Sequence, residues 1–244
     1  MENLADQIAI VCHDVRITRE RMMQKHPTWV SATDARIGVF SRFVNVLESA
    51  RFGLIFEEGY LKSRSWWRDH VTSSVHMSDA DISIYILEFD RSTRIGFLQG
   101  QFSAIETFFR LFIRAVDPAF LTKTTEFANI YRSLFKRLGL QRRGFEELLD
   151  LLREIRNTVH NNGVYFPSNP NRQNIAIPYK GQTYHFDIGK GTTFGLWTFY
   201  FSLVPDITQM LVDVVEAPEV ATLPQLDDTF TLSFPSTPIY NLYP

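Results

Sequence analysis

The chain has 244 residues, a formal net charge of −2 and 45% hydrophobic residues, which is the balance of an ordinary globular protein. This near-neutral charge excludes a protein that coats nucleic acid by bulk electrostatics, although a small basic patch stays compatible with it. The single cysteine, Cys12, excludes an intrachain disulfide framework and a cysteine-rich zinc site. Phenylalanine is abundant, with 21 copies, so we expect a core built largely on phenyl rings.

The sequence favours a cytoplasmic protein without a membrane span. Its first residues carry acids where a secretory signal carries bases. The longest uncharged apolar stretch, residues 194–205, is about a dozen residues long and therefore too short to cross a bilayer. A lone cysteine also suits a reducing compartment.

Apolar spacing predicts a mainly α protein, a helical bundle. Helices are expected over residues 3–26, 35–57, 81–116, 124–138, 144–160 and 194–215. Pro27 and Pro118 stop two of them, because the residue before a proline is pushed out of the α region. Residues 59–80, which begin at a helix-loosening glycine and contain Trp66-Trp67, predict a loop or a short helix.

A small β-hairpin is predicted over residues 175–188, directly before the last helix. Two short arms of alternating character flank Lys180-Gly181, which suits a tight turn. Residues 217–244 contain five prolines and therefore predict an extended or partly disordered tail instead of a regular helix.

The strongest chemical signal lies in the last two turns of the helix predicted over residues 144–160. Its apolar stripe is formed by Phe145, Leu148, Leu149, Leu152, Ile155 and Val159. Four polar side chains share an arc beside this stripe, since their spacing brings them to one side of a helix: Arg153, Arg156, Asn157 and His160. The sequence Asn161-Asn162-Gly163 is then expected to end the helix in a left-handed turn.

Two guanidiniums and one imidazole in a single cluster suit the cleavage of RNA by its own 2′-hydroxyl. The imidazole of His160 can take or return a proton near neutral pH, and Arg153 or Arg156 can stabilise charge on the phosphoryl oxygens. This chemistry requires neither a metal nor another cofactor. A two-fold dimer through the adjacent apolar face would supply two copies of His160, one to accept a proton and one to donate it.

At these residues the chain resembles the HEPN superfamily. The signature of that family is an arginine followed, after four to six residues, by a histidine, often with Asn, Asp or His directly after the arginine. Arg153 fits the spacing, with six residues before His160, but Glu154 follows it. Arg156 has the favoured neighbour Asn157, but only three residues separate it from His160. Either arginine can therefore be the one in the signature.

The resemblance implies an all-helical, usually dimeric domain of the kind found in toxin–antitoxin, abortive-infection and CRISPR-associated systems. It assigns residues 79–216 to a HEPN-like core, residues 1–78 to an N-terminal helical extension and residues 217–244 to the tail. It implies an endoribonuclease with RNA as substrate and with a second copy, an antitoxin or another protein as partner. A non-catalytic dimeric adaptor or RNA-binding subunit is the alternative, because many members of such families are non-catalytic.

The catalytic residues implied are His160 with Arg153 or Arg156, supported by Asn157 and Asn161. A purely structural interpretation of the cluster stays open, since arginine and histidine near a helix C-terminus stabilise the helix by about 0.3–1 kcal/mol each. In that interpretation Arg153 simply pairs with Asp150.

A second polar feature lies on the helix before the cluster, which is otherwise apolar on nearly every side. Gln99, Ser103, Glu106 and Arg110 form one narrow polar line along it. Glu106 either pairs with Arg110 at the surface or orients Arg153 or His160 across the helix pair. Because neighbouring acidic residues often support the Arg–His pair in HEPN-like nucleases, Glu106 is a candidate supporting residue.

Overall fold

A computed structural model describes residues 3–29, 33–71, 77–141, 143–167, 173–192 and 194–228. The described residues form eight α-helices: α1 (Leu4–Lys25), α2 (Ala35–Phe56), α3 (Arg64–His70), α4 (Asp79–Val116), α5 (Phe127–Arg137), α6 (Phe145–His160), α7 (Trp197–Glu216) and α8 (Pro218–Ala221). Strands β1 (Ile175–Tyr179) and β2 (Gln182–Phe186) form an antiparallel hairpin between α6 and α7. The predicted mainly α fold, with one small hairpin before the last long helix, is confirmed.

Local signals in the sequence set where the helices begin and end. No boundary of the six predicted helices differs from the structure by more than three residues. The side chain of Asn3 accepts the N–H of Ala5 at the start of α1. A reciprocal pair of bonds between Ser78 and Asp81 starts α4, with the Ser78 N–H donating to the Asp81 carboxylate at 2.9 Å.

Two segments differ from the sequence prediction or extend it. The segment predicted as a loop or short helix, residues 59–80, begins inside a π-helical turn, Glu57–Leu61, which continues α2, and then contains the short helix α3. Residues 72–76 of that segment lie outside the described residues. The expectation of an irregular tail from residue 217 is wrong at its start, because Pro218–Ala221 forms a helical turn. Proline is tolerated at the first helical position, where its missing N–H has no partner to lose. Residues 229–244 of the predicted tail lie outside the described residues.

One hydrophobic core extends through the bundle, from Ala5 in α1 to Val220 in α8. Helix α2 packs against α1 and α4, and α7 packs against α1 and α2. The core is therefore continuous across residue 78, where the HEPN resemblance placed a domain boundary. Phenyl rings of α4 and α5 fill its centre, as the composition predicted: Phe97, Phe102, Phe108, Phe109, Phe112, Phe127 and Phe135 are all buried.

The two halves of α4 have different surroundings. From Phe97 onward the helix is buried on most of its faces, whereas its first half exposes Ile84, Tyr85 and Leu87. The polar line of the second half lies at the rim of the core, where Ser103 is exposed. No helix among the described residues is both long enough and apolar enough to cross a membrane.

The hairpin packs beside α6 and helps to hold its position. Its register pairs Ile175 with Phe186, and the predicted turn residues Lys180 and Gly181 both adopt positive φ, at 48° and 74°. A paired glycine-containing turn of this kind matches the twist of the two strands. An isolated antiparallel β-bridge pairs Val164, before the hairpin and just beyond the end of α6, with Gly191 after the hairpin.

Candidate functional site at the C-terminal end of α6

The end of α6 is formed by the predicted Asn-Asn-Gly turn. The N–H of Gly163 donates to the carbonyl of Thr158 at 2.8 Å, and the N–H of Asn162 donates to that of Val159 at 3.2 Å. Asn162 and Gly163 have φ of 55° and 84°, the left-handed conformation that such a turn requires. This turn stops α6 directly after His160 and leaves that side chain at the surface.

Arg153 points into a polar network and is only 16% exposed. Its guanidinium donates to Glu154 from Nε at 3.0 Å and from Nη2 at 2.8 Å. Nη1 lies 3.0 Å from the Asp150 carboxylate and 3.2 Å from the Tyr131 hydroxyl. The structural alternative considered for Arg153, pairing with Asp150, is therefore present, together with two partners that the sequence analysis did not identify.

The electrostatics of this network keep Arg153 charged and Tyr131 neutral. Burial alone lowers the pKa of Arg153, but its interactions with Tyr131, Glu154 and Asp150 outweigh that effect and raise the pKa above its usual range. Burial, followed by the hydrogen bond to Asp150, raises the pKa of Tyr131. A guanidinium fixed by three groups in this way has little freedom to bind a phosphate.

Glu154 is completely buried and holds two members of the predicted cluster. Besides accepting from Arg153, its carboxylate accepts from the side-chain amide of Asn157 at 3.2 Å. Asn161 in turn donates from its side chain to the main-chain carbonyl of Asn157 at 3.1 Å. The predicted supporting residues Asn157 and Asn161 thus stabilise the helix end. The position of Glu154 is the sequence feature that could have indicated its burial, since it lies three residues after the buried Leu151 and on the same face of the helix.

Arg156 and His160 have different surroundings from Arg153. The guanidinium of Arg156 lies over the ring of Phe102, 5.3 Å from its centroid. Within the described part of the chain, no carboxylate lies within ion-pair distance of Arg156, and no hydrogen bond engages the exposed imidazole of His160. Residues four apart are neighbours on a helix surface, so these two groups present a cation and an imidazole together.

Glu106 is bonded to Arg110 and not to α6. The Arg110 guanidinium donates to the Glu106 carboxylate at 2.5 Å and to the carbonyl of Thr125 at 2.9 Å. The surface pair considered in the sequence analysis is therefore the arrangement found. The expectation that Glu106 orients Arg153 or His160 is not met. Arg153 is bonded to Tyr131, Asp150 and Glu154 instead.

Two arginines of α4 that have no motif in the sequence lie at the end of α6. Arg91 donates to the carbonyl of Asn162 at 3.1 Å, and Arg94 donates to the carbonyl of Gly195 at 2.9 Å. Both line a cleft of about 310 Å³ behind the turn. Their signal in the sequence was weak, since they lie 59 and 62 residues before Arg153 and only the packing of α4 on α6 brings them there.

The apolar stripe of α6 is buried within the chain itself. Leu148 and Leu149 are 0% exposed, and Leu152 and Ile155 are at most 5% exposed. These side chains pack into the continuous core, so the stripe cannot serve as the dimer interface for which the sequence analysis proposed it. A two-fold arrangement of this chain would need a different surface.

The site therefore consists of an exposed imidazole and a partly exposed guanidinium on the last turns of α6, with Arg91 bonded to the turn that follows. Arg153 and Asn157 are partly buried and both bond to the buried Glu154 behind this pair. Comparisons of the chain with protein-family models, with curated proteins and with solved structures found no match.

Proposed function

We propose that the chain is a HEPN-like, metal-independent endoribonuclease, of the toxin or defence type, that cleaves RNA with Arg156 and His160. The observation that carries the proposal is the difference between the two arginines. Arg153 is engaged by Glu154 and Asp150, whereas Arg156 is partly exposed, lies over the ring of Phe102 and precedes the exposed His160 by one helical turn. Of the two alternatives in the signature, this favours Arg156-Asn157 with His160.

In the proposed reaction, the imidazole of His160 accepts the proton of a ribose 2′-hydroxyl, which then attacks the adjacent phosphorus. The 5′-oxygen leaves with a proton from the second copy of His160 in a dimer, or from water at a single site, and a 2′,3′-cyclic phosphate remains on the first product. The guanidinium of Arg156 stabilises the charge that develops on the phosphoryl oxygens. Arg91 adds a second positive charge beside the turn and is suited to hold a neighbouring phosphate of the strand.

The first test is the incubation of RNA with the purified chain in the presence of EDTA. Replacing a general acid–base group costs about 10²–10⁴-fold in rate, so we expect His160→Ala and Arg156→Ala to lose activity on that scale while they stay folded. His13→Ala and Arg114→Ala change an exposed residue of the same type elsewhere and should leave the rate unchanged. Equal rates for wild type and His160→Ala would show that the chain is not a nuclease of this kind.

The same experiment separates the catalytic proposal from an RNA-binding or adaptor role. A non-catalytic subunit would leave RNA intact but bind it, and Arg156→Ala and Arg91→Ala would weaken binding without any cleavage to lose. Binding that rests on phosphate contacts also falls with added salt, which a titration by fluorescence anisotropy measures directly.

A homodimer remains part of the proposal, and an exposed apolar line on α4 is the surface best placed for it. Ile84 and Leu87 are 55% and 68% exposed, and the same line continues to Arg91, which bonds to the turn after His160. Pairing two copies through this line would place two ends of α6 near each other. The isologous contact of a two-fold dimer uses the same surface patch twice.

Leu87→Glu tests this surface. The substitution places a charge at the centre of the proposed contact, so light scattering at micromolar concentration should give a dimer for wild type and a monomer for the variant. Ile10→Glu introduces the same change at another exposed apolar side chain, 52% exposed, and should remain dimeric. A monomeric wild type would rule out the composite site with two copies of His160 and leave the single-site reaction to be tested by the rates above.

A further inference from the structure

An apolar groove of about 660 Å³ runs between α2 and α4, on the side of the bundle away from the α6 site. The two helices are antiparallel and come into close contact at Gly53 of α2 and at Gly100 of α4. A Cβ at Gly53 would lie 2.6 Å from Thr93 Cγ2, and one at Gly100 would lie 3.1 Å from both methyl groups of Val46. Small residues on both helices form the groove: Ser49, Ala50, Gly53, Gly96, Gly100 and Ser103.

The described residues leave this groove open. A Cβ at Gly96 would meet no atom within 4 Å, and Ser49 and Ser103 on its two sides are exposed. An open apolar groove of this size on a bundle of this kind favours an occupant with apolar side chains. Its rims carry hydroxyl and amide groups, from Asn45, Ser49 and Ser103 among others, which can bond to an extended backbone.

The chain itself leads to one end of this groove. The Arg36 guanidinium donates to the carbonyls of Val220, Ala221 and Leu223 and so fixes the segment after α8. The N–H of Asp228 then donates to the carbonyl of Thr33 at 2.7 Å.

The last described residue lies against the groove. The carboxylate of Asp228 is 3.0 and 3.2 Å from the guanidinium of Arg42, and Arg42 lines the groove at its end near Thr107. Asp228 is only 5% exposed, so this position of the chain is held within the packed structure. The chain therefore leaves the described structure where the groove begins.

The sequence beyond Asp228 has the composition that the groove requires. Residues 229–244 contain no charged residue. Directly after Asp228, apolar and polar residues alternate, with Phe230, Leu232 and Phe234 at every second position. In an extended segment such residues point to the same side, and Pro235 ends the alternation.

The length also agrees. From Arg42 to Gly53 the groove follows eleven residues of α2, or about 16 Å at the rise of an α-helix. An extended chain covers that distance in about five residues, which is the length of the alternating segment.

We propose that residues 229–234 of the same chain lie in the α2–α4 groove as an extended strap, with Phe230, Leu232 and Phe234 directed into it. A second copy of the chain or a small apolar molecule is the competing occupant.

Disulfide cross-linking in the full-length chain tests the strap and its register. In a Cys12→Ala background, Ser49→Cys is combined with either Leu232→Cys or Ser233→Cys, and the protein is oxidised with copper phenanthroline. The two tail cysteines are tethered equally but face opposite sides of an extended segment. We expect the Leu232→Cys pair to close within the monomer at least about tenfold faster, because docking raises the effective concentration of that thiol.

Equal rates for the two tail positions, or no bond at all, would overturn the proposal. Cross-linked dimers in place of monomers would overturn it as well and would assign the groove to a second copy. Filling the groove gives an independent check: Gly96→Phe should slow the Leu232→Cys cross-link at least about tenfold by competing for the same space. Gly59→Phe, another glycine with open space around its Cβ position, should leave the rate unchanged.

Discussion

Glu154 has a fully buried carboxylate beside the candidate site. Burying a charged carboxylate is costly unless it is paired and hydrogen-bonded, and here Arg153 and Asn157 provide that pairing. The same bonds draw Arg153 away from the surface. Arg156 lies over an aromatic ring and, among the described residues, has no carboxylate within ion-pair distance.

Arg153 and Arg156 should therefore differ in their effect on stability. We expect Arg153→Met to lower the free energy of unfolding by about 3 kcal/mol, because it leaves the buried Glu154 without its main cation. Arg156→Met should cost less than about 1 kcal/mol, the size of a partly exposed cation–π contact. Urea unfolding followed by circular dichroism measures both values, and equal losses would contradict the assignment of a structural role to Arg153.

A control for this prediction removes both partners of the buried pair. The double variant Arg153→Met/Glu154→Gln also removes the buried negative charge that Arg153 balances, so it should recover part of the lost stability. An additive loss in the double variant would mean that the two side chains do not depend on each other.

At the scale of whole elements, the contact between α2 and α4 depends on glycine. Gly53 allows the helices to approach so closely that a methyl group would overlap with Thr93. Thr93 is held in place by the bond from its hydroxyl to the carbonyl of Phe89 at 2.9 Å, so it cannot easily yield. Alanine normally stabilises a helix by about 1 kcal/mol relative to glycine, but here the overlap works against it.

Gly53→Ala is consequently expected to destabilise the chain, in spite of its better helix propensity. Overpacking in a close contact costs about 1–3 kcal/mol, which exceeds the gain in propensity. Removing the opposing atoms should reverse the sign, so that Gly53→Ala is neutral or stabilising when introduced into a Thr93→Ala background. Thermal unfolding of the four proteins of this cycle gives the coupling, and the same effect in both backgrounds would show that the contact is looser than described.

At the scale of the molecule, Arg36 connects the start of α2 to the end of α8. It is 2% exposed and pairs with the fully buried Asp34 at 2.6 Å. Its guanidinium also lies 4.5 Å from the ring of Trp29 and donates to the carbonyls of Ala221, at the end of α8, and of Leu223 just after it. One side chain thereby satisfies the carbonyls at the end of a short helix and joins segments more than 180 residues apart.

Arg36→Met should lower the free energy of unfolding by about 3–5 kcal/mol, since it leaves the Asp34 carboxylate buried without its cation. The main-chain N–H of residue 36 remains bonded to that carboxylate. Arg36→Lys should restore little, because an ammonium cannot reproduce the planar fork of donors. The segment after Glu216 should also become accessible to limited proteolysis, as its carbonyls lose their donors. Arg114→Met, which changes an exposed arginine, serves as the control, and an equal loss in that variant would contradict the role given to Arg36.

The sequence by itself determined the parts of this protein that depend on near neighbours. Helix positions follow from apolar spacing and from caps such as Ser78 with Asp81, and the hairpin turn follows from Lys180-Gly181. These signals act over a few residues, so they can be recognised without knowing the rest of the fold. The Asn-Asn-Gly end of α6 and the Arg153–Asp150 pair belong to the same class.

Only the tertiary structure decided which groups of α6 face the surface and which face the protein. Arg153 is withdrawn by Tyr131 of another helix, and Arg91 reaches the site from 71 residues away in the sequence. The apolar stripe of α6, which the sequence analysis offered as a dimer interface, is part of the chain's own core. Helical spacing gives the direction of a side chain around its own axis, but the partner on that side is set by the packing of distant elements.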